Sequence, residues 1–392
     1  MNISFENTAI AFSAKNKNAL RQTYWLFWAM NNPALVSFGT KMLKIAFQYR
    51  FPLVRSIVKR TLFAHFCGGE NIEDCNHTIK QLAAFKIGAI LDYSVEGEKE
   101  EQTFDATAEE IVRTVLAAQK QREEIPFAVF KVTGLANSEL LEKIQLQQPL
   151  SNAEEQAWQK VKQRVEKICQ TAHEYKVKIL IDAEETWIQA PIDELAYMMM
   201  EKFNREEPIV YNTYQMYLKK SLGNLKQAYQ TAETQGYHLG AKLVRGAYME
   251  KERARASKMN YEDPIQPNKA SSDNDFDAAL LFCVTNLQNM GLCAGTHNEA
   301  SSLYLAQLMQ THQISTTDKR IFFAQLYGMS DHISYNLANA GYLVAKYVPY
   351  GPVASVMPYL FRRAEENTSV AGQSSREFRL VQQEWSRRQK QK

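Results

Sequence analysis

The sequence predicts an α/β chain: a distorted (β/α)8, TIM-like barrel with an N-terminal helical arm and a C-terminal helical tail. Three observations predict it. Eight short runs rich in β-branched and aliphatic residues alternate with longer amphipathic stretches, as repeated βα units require. Most of the runs are apolar on both faces, as parallel strands covered on both sides are. Polar residues recur at their C-terminal ends, the rim on which such barrels carry their chemistry.

Residues 1–85 form the arm: from about 16 to 82 the pattern is helical, with Pro33 and Pro52 as breaks and no β run. The barrel spans 86–367, with strands expected at 89–93, 127–133, 177–182, 209–212, 239–245, 292–295, 321–326 and 346–348. Between them the spacing predicts helices such as 108–121, 152–175, 191–203, 216–234, 275–288 and 330–340. The tail, 368–392, is partly helical by the same reading. Its Phe378, Leu380, Val381 and Trp385 make one amphipathic face that either docks on the domain or touches a membrane.

A chain of 392 residues, 45% hydrophobic and 23% charged, has enough apolar residues to bury a sizeable core. Its net charge of +3 is small and spread out, which sets nucleic-acid binding aside. The five cysteines are an odd number without a C-x-x-C pair, as in a reducing compartment. Polar and charged residues occupy the N-terminus where a secretory signal needs an apolar run. Residues 35–54 are apolar but are broken by Lys41, Lys44 and Arg50, so no spanning helix is expected there. A cytoplasmic location follows, with association at the inner face of the membrane left open. Segment 38–62, with Arg55, Lys59 and Arg60 added to those cations, suits either an anionic membrane surface or an arm with a solvated basic face. Dinucleotide-fold, P-loop and zincin motifs are missing, and no metal site is expected.

Lys131, Asp182, Lys242 with Arg245, Thr296-His297-Asn298 and Tyr347 sit at or near the ends of predicted strands two, three, five, six and eight. Each alone is as well explained as a loop-edge polar group; their repetition favours a shared pocket. Lys131 and Asp182 suit a pair across the barrel mouth, with a structural ion pair as the alternative. Gly246, after Arg245, allows close approach of a bulky or anionic ligand. Near the C-terminus, Tyr359, Arg362, Arg363 and Glu366 share one side of a helix opened by Pro358. Two guanidinium forks beside a tyrosine match a planar carboxylate. The alternative is a solvated basic helix with an Arg362–Glu366 pair.

At these residues the chain resembles the proline dehydrogenases, including the catalytic domain of bifunctional proline-utilisation proteins and the mitochondrial enzyme. The resemblance covers about 63 to 367 and rests on ordered motifs. These are Phe66-Cys-Gly-Gly-Glu70, Lys131-Val-Thr133, Ile181-Asp-Ala-Glu-Glu185, Tyr214-Gln-Met-Tyr-Leu218, Lys242-Leu-Val-Arg-Gly-Ala-Tyr248, Gly295-Thr-His-Asn298, Gln325-Leu-Tyr-Gly-Met329 and Tyr359-Leu-Phe-Arg-Arg363. The resemblance implies an FAD-dependent oxidation of L-proline to 1-pyrroline-5-carboxylate, the first step of proline catabolism, with electrons passed to a quinone. It implies that Arg362 and Arg363 hold the proline carboxylate, that Lys131, Asp182 and Lys242 serve catalysis, and that Leu326, Tyr347 and Tyr359 enclose the ring. Gln215, Lys242, Arg245, Gly246, Ala247, Thr296, His297, Asn298 and Glu366 match FAD contacts, and Glu70 with Arg362 matches an ion pair that latches the closed site. Many bacterial members carry Arg and Lys where this chain has Lys242 and Arg245, which resembles the mitochondrial type. Relatives specialised for hydroxyproline carry a smaller residue at the position of Tyr347, so the tyrosine implies proline itself.

Two other readings stand beside this one. A barrel lyase using Lys131 as a Schiff-base nucleophile would be colourless and trapped by borohydride. A barrel without catalysis would bind an amino acid or flavin and turn nothing over. Oligomeric state is left open by the sequence.

Overall fold

Every strand run of the barrel is short, apolar and flanked by amphipathic helix, and the computed structural model forms the corresponding elements over residues 3–48, 52–94, 100–369 and 373–391, which are those it describes. The arm contains α1 (Thr8–Ala11), α2 (Lys17–Met30), α3 (Pro33–Gln48), α4 (Pro52–Val58), a π-helical turn (Lys59–Phe63), α5 (Ala64–Phe66) and α6 (Ile72–Ala83). Pro33 and Pro52 are the first residues of α3 and α4, where a missing N–H leaves no helical bond unmade.

The barrel then runs β1 (Ile87–Tyr93), α7 (Glu101–Lys120), β2 (Phe127–Phe130), α8 (Ser138–Gln145), α9 (Asn152–Glu174), β3 (Lys178–Ile181), α10 (Thr186–Phe203) and β4 (Val210–Gln215). It continues through α11 (Ser221–Gln235), β5 (Leu239–Val244), α12 (Met249–Met259), α13 (Lys269–Thr285), β6 (Met290–Gly295), α14 (Glu299–Thr311), β7 (Ile321–Leu326), α15 (Asp331–Asn339) and β8 (Val344–Tyr350). The parallel strands close in sequential order, β1 to β8. All eight expected strands are present, displaced by a few residues at their ends.

The described chain falls into two compact units, 97–324 and 1–96 with 325–392. In the first, β2 to β6 are almost wholly buried, and helices such as α9 are fixed at their starts by capping: Ser151 and Glu154 close a reciprocal capping box. In the second, Ile90 on β1 stands opposite Tyr347 on β8. This unit also contains α16 (Val353–Ser369) and α17 (Gln373–Lys390). One apolar cluster joins Met30, Val58, Phe63, Phe66, Val356, Tyr359 and Leu360, so the helix carrying the arginines packs on the arm. A second joins Phe12, Leu20 and Phe27 to Leu380 and Val381, with Phe378 and Trp385 against it. The tail's apolar face therefore docks on α1 and α2.

One boundary differs from expectation. The arginine helix opens at Val353, not at Pro358, because the Ser355 and Val356 N–H groups both donate to the Pro352 carbonyl and start the helix a turn earlier. Pro358 lies inside it. Among the described residues no helix is long and apolar enough to cross a membrane.

Candidate active site

Strand alternation decides which polar side chains enter the barrel. Lys242 sits on β5 and Asp182 directly follows β3; both are buried, 7% and 8% exposed. The Asp182 N–H donates to the Phe130 carbonyl of β2 (2.9 Å), which fixes where its carboxylate begins. Lys242 Nζ then meets Asp182 Oδ1 at 2.5 Å, and Lys131 Nζ approaches Oδ2 to 3.5 Å. One carboxylate is thus shared by two lysines from separate strand ends.

Glu184, two residues on, is a participant to which sequence reasoning gave no role. It accepts from the Thr133 N–H at 3.0 Å and from the Thr133 hydroxyl. Burial pushes its pKa up to about 7, with the Thr133 hydrogen bonds pulling the other way. The available signal was its place two after Asp182, matched by Thr133 two after Lys131. Gln215 is buried and donates to the Glu184 carbonyl (2.8 Å), tying β4 to the same loop.

Around the ends of β5 and β6 the arrangement differs. Arg245 donates to Asp273 (2.7 Å), Thr296 (2.7 Å) and Ser301 (2.9 Å) and lies over the Phe276 ring, 4.4 Å from its centroid. Its charge is fixed in place by the protein. Asn298 caps α14 by accepting from Ala300 (2.9 Å) and Ser301 (3.2 Å), and its own N–H donates to Thr296 (3.1 Å). His297 is half-buried. Gly246 and Ala247 are exposed; Gly246 has φ +132°, where an L side chain is strained and a Cβ would overlap the Tyr217 ring. Gly246 and Ala247 thus form an exposed turn directly after the fixed Arg245 guanidinium.

In the other unit Tyr347 and Tyr359 are buried, Leu326 and Arg362 half-buried, and Arg363 6% exposed. The Arg363 guanidinium lies over the Tyr359 ring, 5.2 Å from its centroid. That removes it from the solvated-helix reading. The Tyr327 N–H donates to the Tyr347 carbonyl (2.9 Å), joining the residue after β7 to the middle of β8. The side chain of Glu366 lies outside the described residues.

Glu70, expected opposite Arg362, is engaged here by Arg55 (2.9 Å) and Lys59, and accepts the Val353 N–H at 3.4 Å. The cause is local: α4 and the π-helical turn after it present both cations to the carboxylate. Lys59 and Arg55 hold Glu70 below the usual carboxylate range.

A family model described as proline dehydrogenase matches residues 75–376. The chain belongs to the proline dehydrogenase family. It is 34% identical over 377 residues to mitochondrial proline dehydrogenase 1 of Dictyostelium discoideum, covering 84% of this chain and 65% of that protein. It is 35% identical over 338 residues to the carbapenem antibiotics biosynthesis protein CarD of Pectobacterium carotovorum, covering 86% and 85%. With human mitochondrial proline dehydrogenase 1 it shares 41% over 229 residues, 58% of this chain and 38% of that one. The chain thus spans 65% of the length of the Dictyostelium protein and 38% of the human one. Among solved structures, proline utilization A of Bdellovibrio bacteriovorus superposes with a TM-score of 0.78 at 19% identity, over 95% of this chain and 42% of that one. At that identity the likeness supports the barrel fold.

Proposed function

We propose that this family member is an FAD-dependent proline dehydrogenase that oxidises L-proline to 1-pyrroline-5-carboxylate. The observation that carries the reading is the Lys131–Asp182–Lys242 cluster at strand ends, with Asp182 and Lys242 buried and Lys131 half-buried, where (β/α)8 barrels do their chemistry. Arg362 and Arg363 bind the substrate carboxylate as a two-forked clamp, and Arg363 is held ready by the Tyr359 ring beneath it. Tyr347, Tyr359 and Leu326 enclose the pyrrolidine ring and exclude water. Asp182, flanked by two lysines, orients the ring nitrogen, and Lys131 holds Asp182 in register.

The residues proposed for FAD fit such a group. Gly246 and Ala247 offer exposed backbone to a diphosphate, Arg245 adds a fixed positive charge, and half-buried His297 borders it. Thr296, Asn298, Gln215 and Lys242 complete the set, with Glu366. When bound, the flavin accepts the hydride; the protein's task is to fix the donor carbon and keep the pocket dry. Glu70 exchanges Arg55 and Lys59 for Arg362 when the site closes; unchanged substrate KM and flavin accessibility in Glu70→Ala would remove this latch.

Electrons pass on to a membrane quinone. The contact surface is the stretch from α2 to the π-helical turn, which exposes Trp25, Trp28, Phe38 and Ile57 together with the cations Lys41, Arg55 and Lys59. Such a pairing of large apolar and basic side chains suits an anionic bilayer surface. Lys44 and Arg50, expected on the same segment, have side chains outside the described residues.

The decisive experiment is the visible spectrum of the purified protein with L-proline added anaerobically. Yellow colour that bleaches, with pyrroline-5-carboxylate formed, is the expected result. Colourless protein trapped by borohydride, or colour that proline leaves unchanged, overturns the reading.

A further inference from the structure

Lys346 is out of place on an apolar strand. It follows Val344 and Ala345 on β8, its side chain is 1% exposed, and it precedes Tyr347. Consecutive strand residues point to opposite faces, so the cation and the tyrosine are carried back to back on one rigid segment. Lys346 Nζ reaches Asp331 Oδ1 (2.9 Å) and donates to the carbonyls of Leu326 (3.4 Å) and Met329. It therefore grips both ends of the turn that follows β7.

That turn is wound tightly and is held from other sides too. Gly328 has φ +79° and Ser330 φ +51°, left-handed conformations that for serine persist only where surroundings impose them. The Ser330 N–H and hydroxyl donate to Glu377 of α17 (2.9 and 3.3 Å). His65 Nε2 hydrogen-bonds the Gly328 carbonyl (2.9 Å), and burial drops the His65 pKa to about 4, so the ring is neutral and donates through that nitrogen. Lys15, in the loop between α1 and α2, meets Asp331 Oδ2 at 3.3 Å. Lys15 is fixed in turn: Arg388 of α17 donates to the carbonyls of Lys15 (2.6 Å) and Phe12 (2.8 Å). Burial opposes ionisation of Asp331, and Lys346 and Lys15 overcome it, keeping its carboxyl below the usual range.

We propose that Lys15, Asp331, Lys346 and Glu377 form a brace by which the two terminal helical segments position Leu326 and Tyr347, setting how closely the substrate ring is held. All four are positioning residues: they act through the 326–330 turn. The inference rests on the reading of Leu326 and Tyr347 as walls of the proline pocket. A brace of this kind makes the ends of the chain determinants of substrate fit, although Lys15 and Glu377 lie far in sequence from either wall.

The test uses Lys15→Met and Glu377→Gln in the full chain, which leave the Asp331–Lys346 pair in place, with Lys15→Arg as the conservative variant. Loss of one charge-assisted contact is expected to raise proline KM about tenfold, to leave kcat and flavin content within about twofold, and to narrow the preference for proline over hydroxyproline. Lys15→Arg is expected to keep both KM and the preference at the parent values. Hydrogen exchange of the 326–330 amides, followed by mass spectrometry, is expected to quicken in Lys15→Met and not in Lys15→Arg. Unchanged KM, preference and exchange in both disruptive variants overturn the brace, as does a fall in thermal stability alone. A parent protein that does not oxidise proline sinks the functional reading instead, and the exchange measurement then decides the brace by itself.

Discussion

Lys242 Nζ lies 2.5 Å from Asp182 Oδ1, with both side chains about one-tenth exposed, and Lys131 holds the second oxygen from 3.5 Å. Removing the anion leaves the buried Lys242 ammonium without its partner, and loss of one member of a buried pair typically costs about 3–5 kcal/mol. Asp182→Ala is therefore expected to lower the melting temperature markedly and to reduce kcat/KM for proline by at least about a hundredfold, the scale of a misplaced reacting group. Thermal unfolding and steady-state kinetics on the same preparation check both; wild-type kinetics would remove Asp182 from the pocket.

Arg363 over Tyr359 gives a second expectation. Arg363→Lys keeps the charge but loses the planar fork, so a bidentate contact becomes a point contact. Proline KM should rise about 10- to 100-fold, with a smaller change in kcat, because a charged hydrogen bond contributes roughly 1.5–3 kcal/mol. Equal falls in kcat and kcat/KM would place the interaction in the transition state rather than in binding.

Tyr347 is 8% exposed on β8, beside the braced turn. Replacing it with serine opens room for a ring hydroxyl, so Tyr347→Ser is expected to narrow the preference between proline and hydroxyproline. Relative kcat/KM values for the two substrates measure it, and an unaltered ratio refutes the assignment.

Glu184 supplies a pH signature. Its folded pKa, about 7, is raised from 4.5, so the folded state keeps a proton that the unfolded chain has released. Stability is fullest below about pH 4.5 and falls as pH rises to about 7, by roughly 3 kcal/mol, then levels off. Glu184→Gln lacks this titration while still offering an oxygen to the Thr133 N–H. The melting temperature of the variant minus that of the parent should rise across that window and stay flat above it. A constant difference would show that Glu184 does not titrate there.

Much of the fold could be read before any coordinates, and the reason is short-range. Strands such as Ile321–Leu326 declare themselves by runs of apolar, β-branched or aromatic residues, and α9 by a capping box within four residues. Strand-end placement of Lys131, Asp182 and Lys242 followed from those runs, because side-chain direction is set by position in the strand. Pro358 misled for the same reason: a proline reads locally as a helix start, whereas the Pro352 carbonyl had already begun the helix.

What only tertiary structure decided is the choice of partner. Glu70 could take any nearby cation, and the packing of α4 and the π-helical turn gave it Arg55 and Lys59. Whether the tail met membrane or protein depended on a complementary apolar face, which α1 and α2 supply. Lys346, Asp331 and Lys15 are anonymous in the sequence, separated by up to hundreds of residues, and become a unit only when burial withdraws water from all three. Local geometry is encoded in a few neighbouring residues, but a charge finds its counter-charge through long-range folding, since the low-dielectric interior makes pairing obligatory and the chain's path selects the mate.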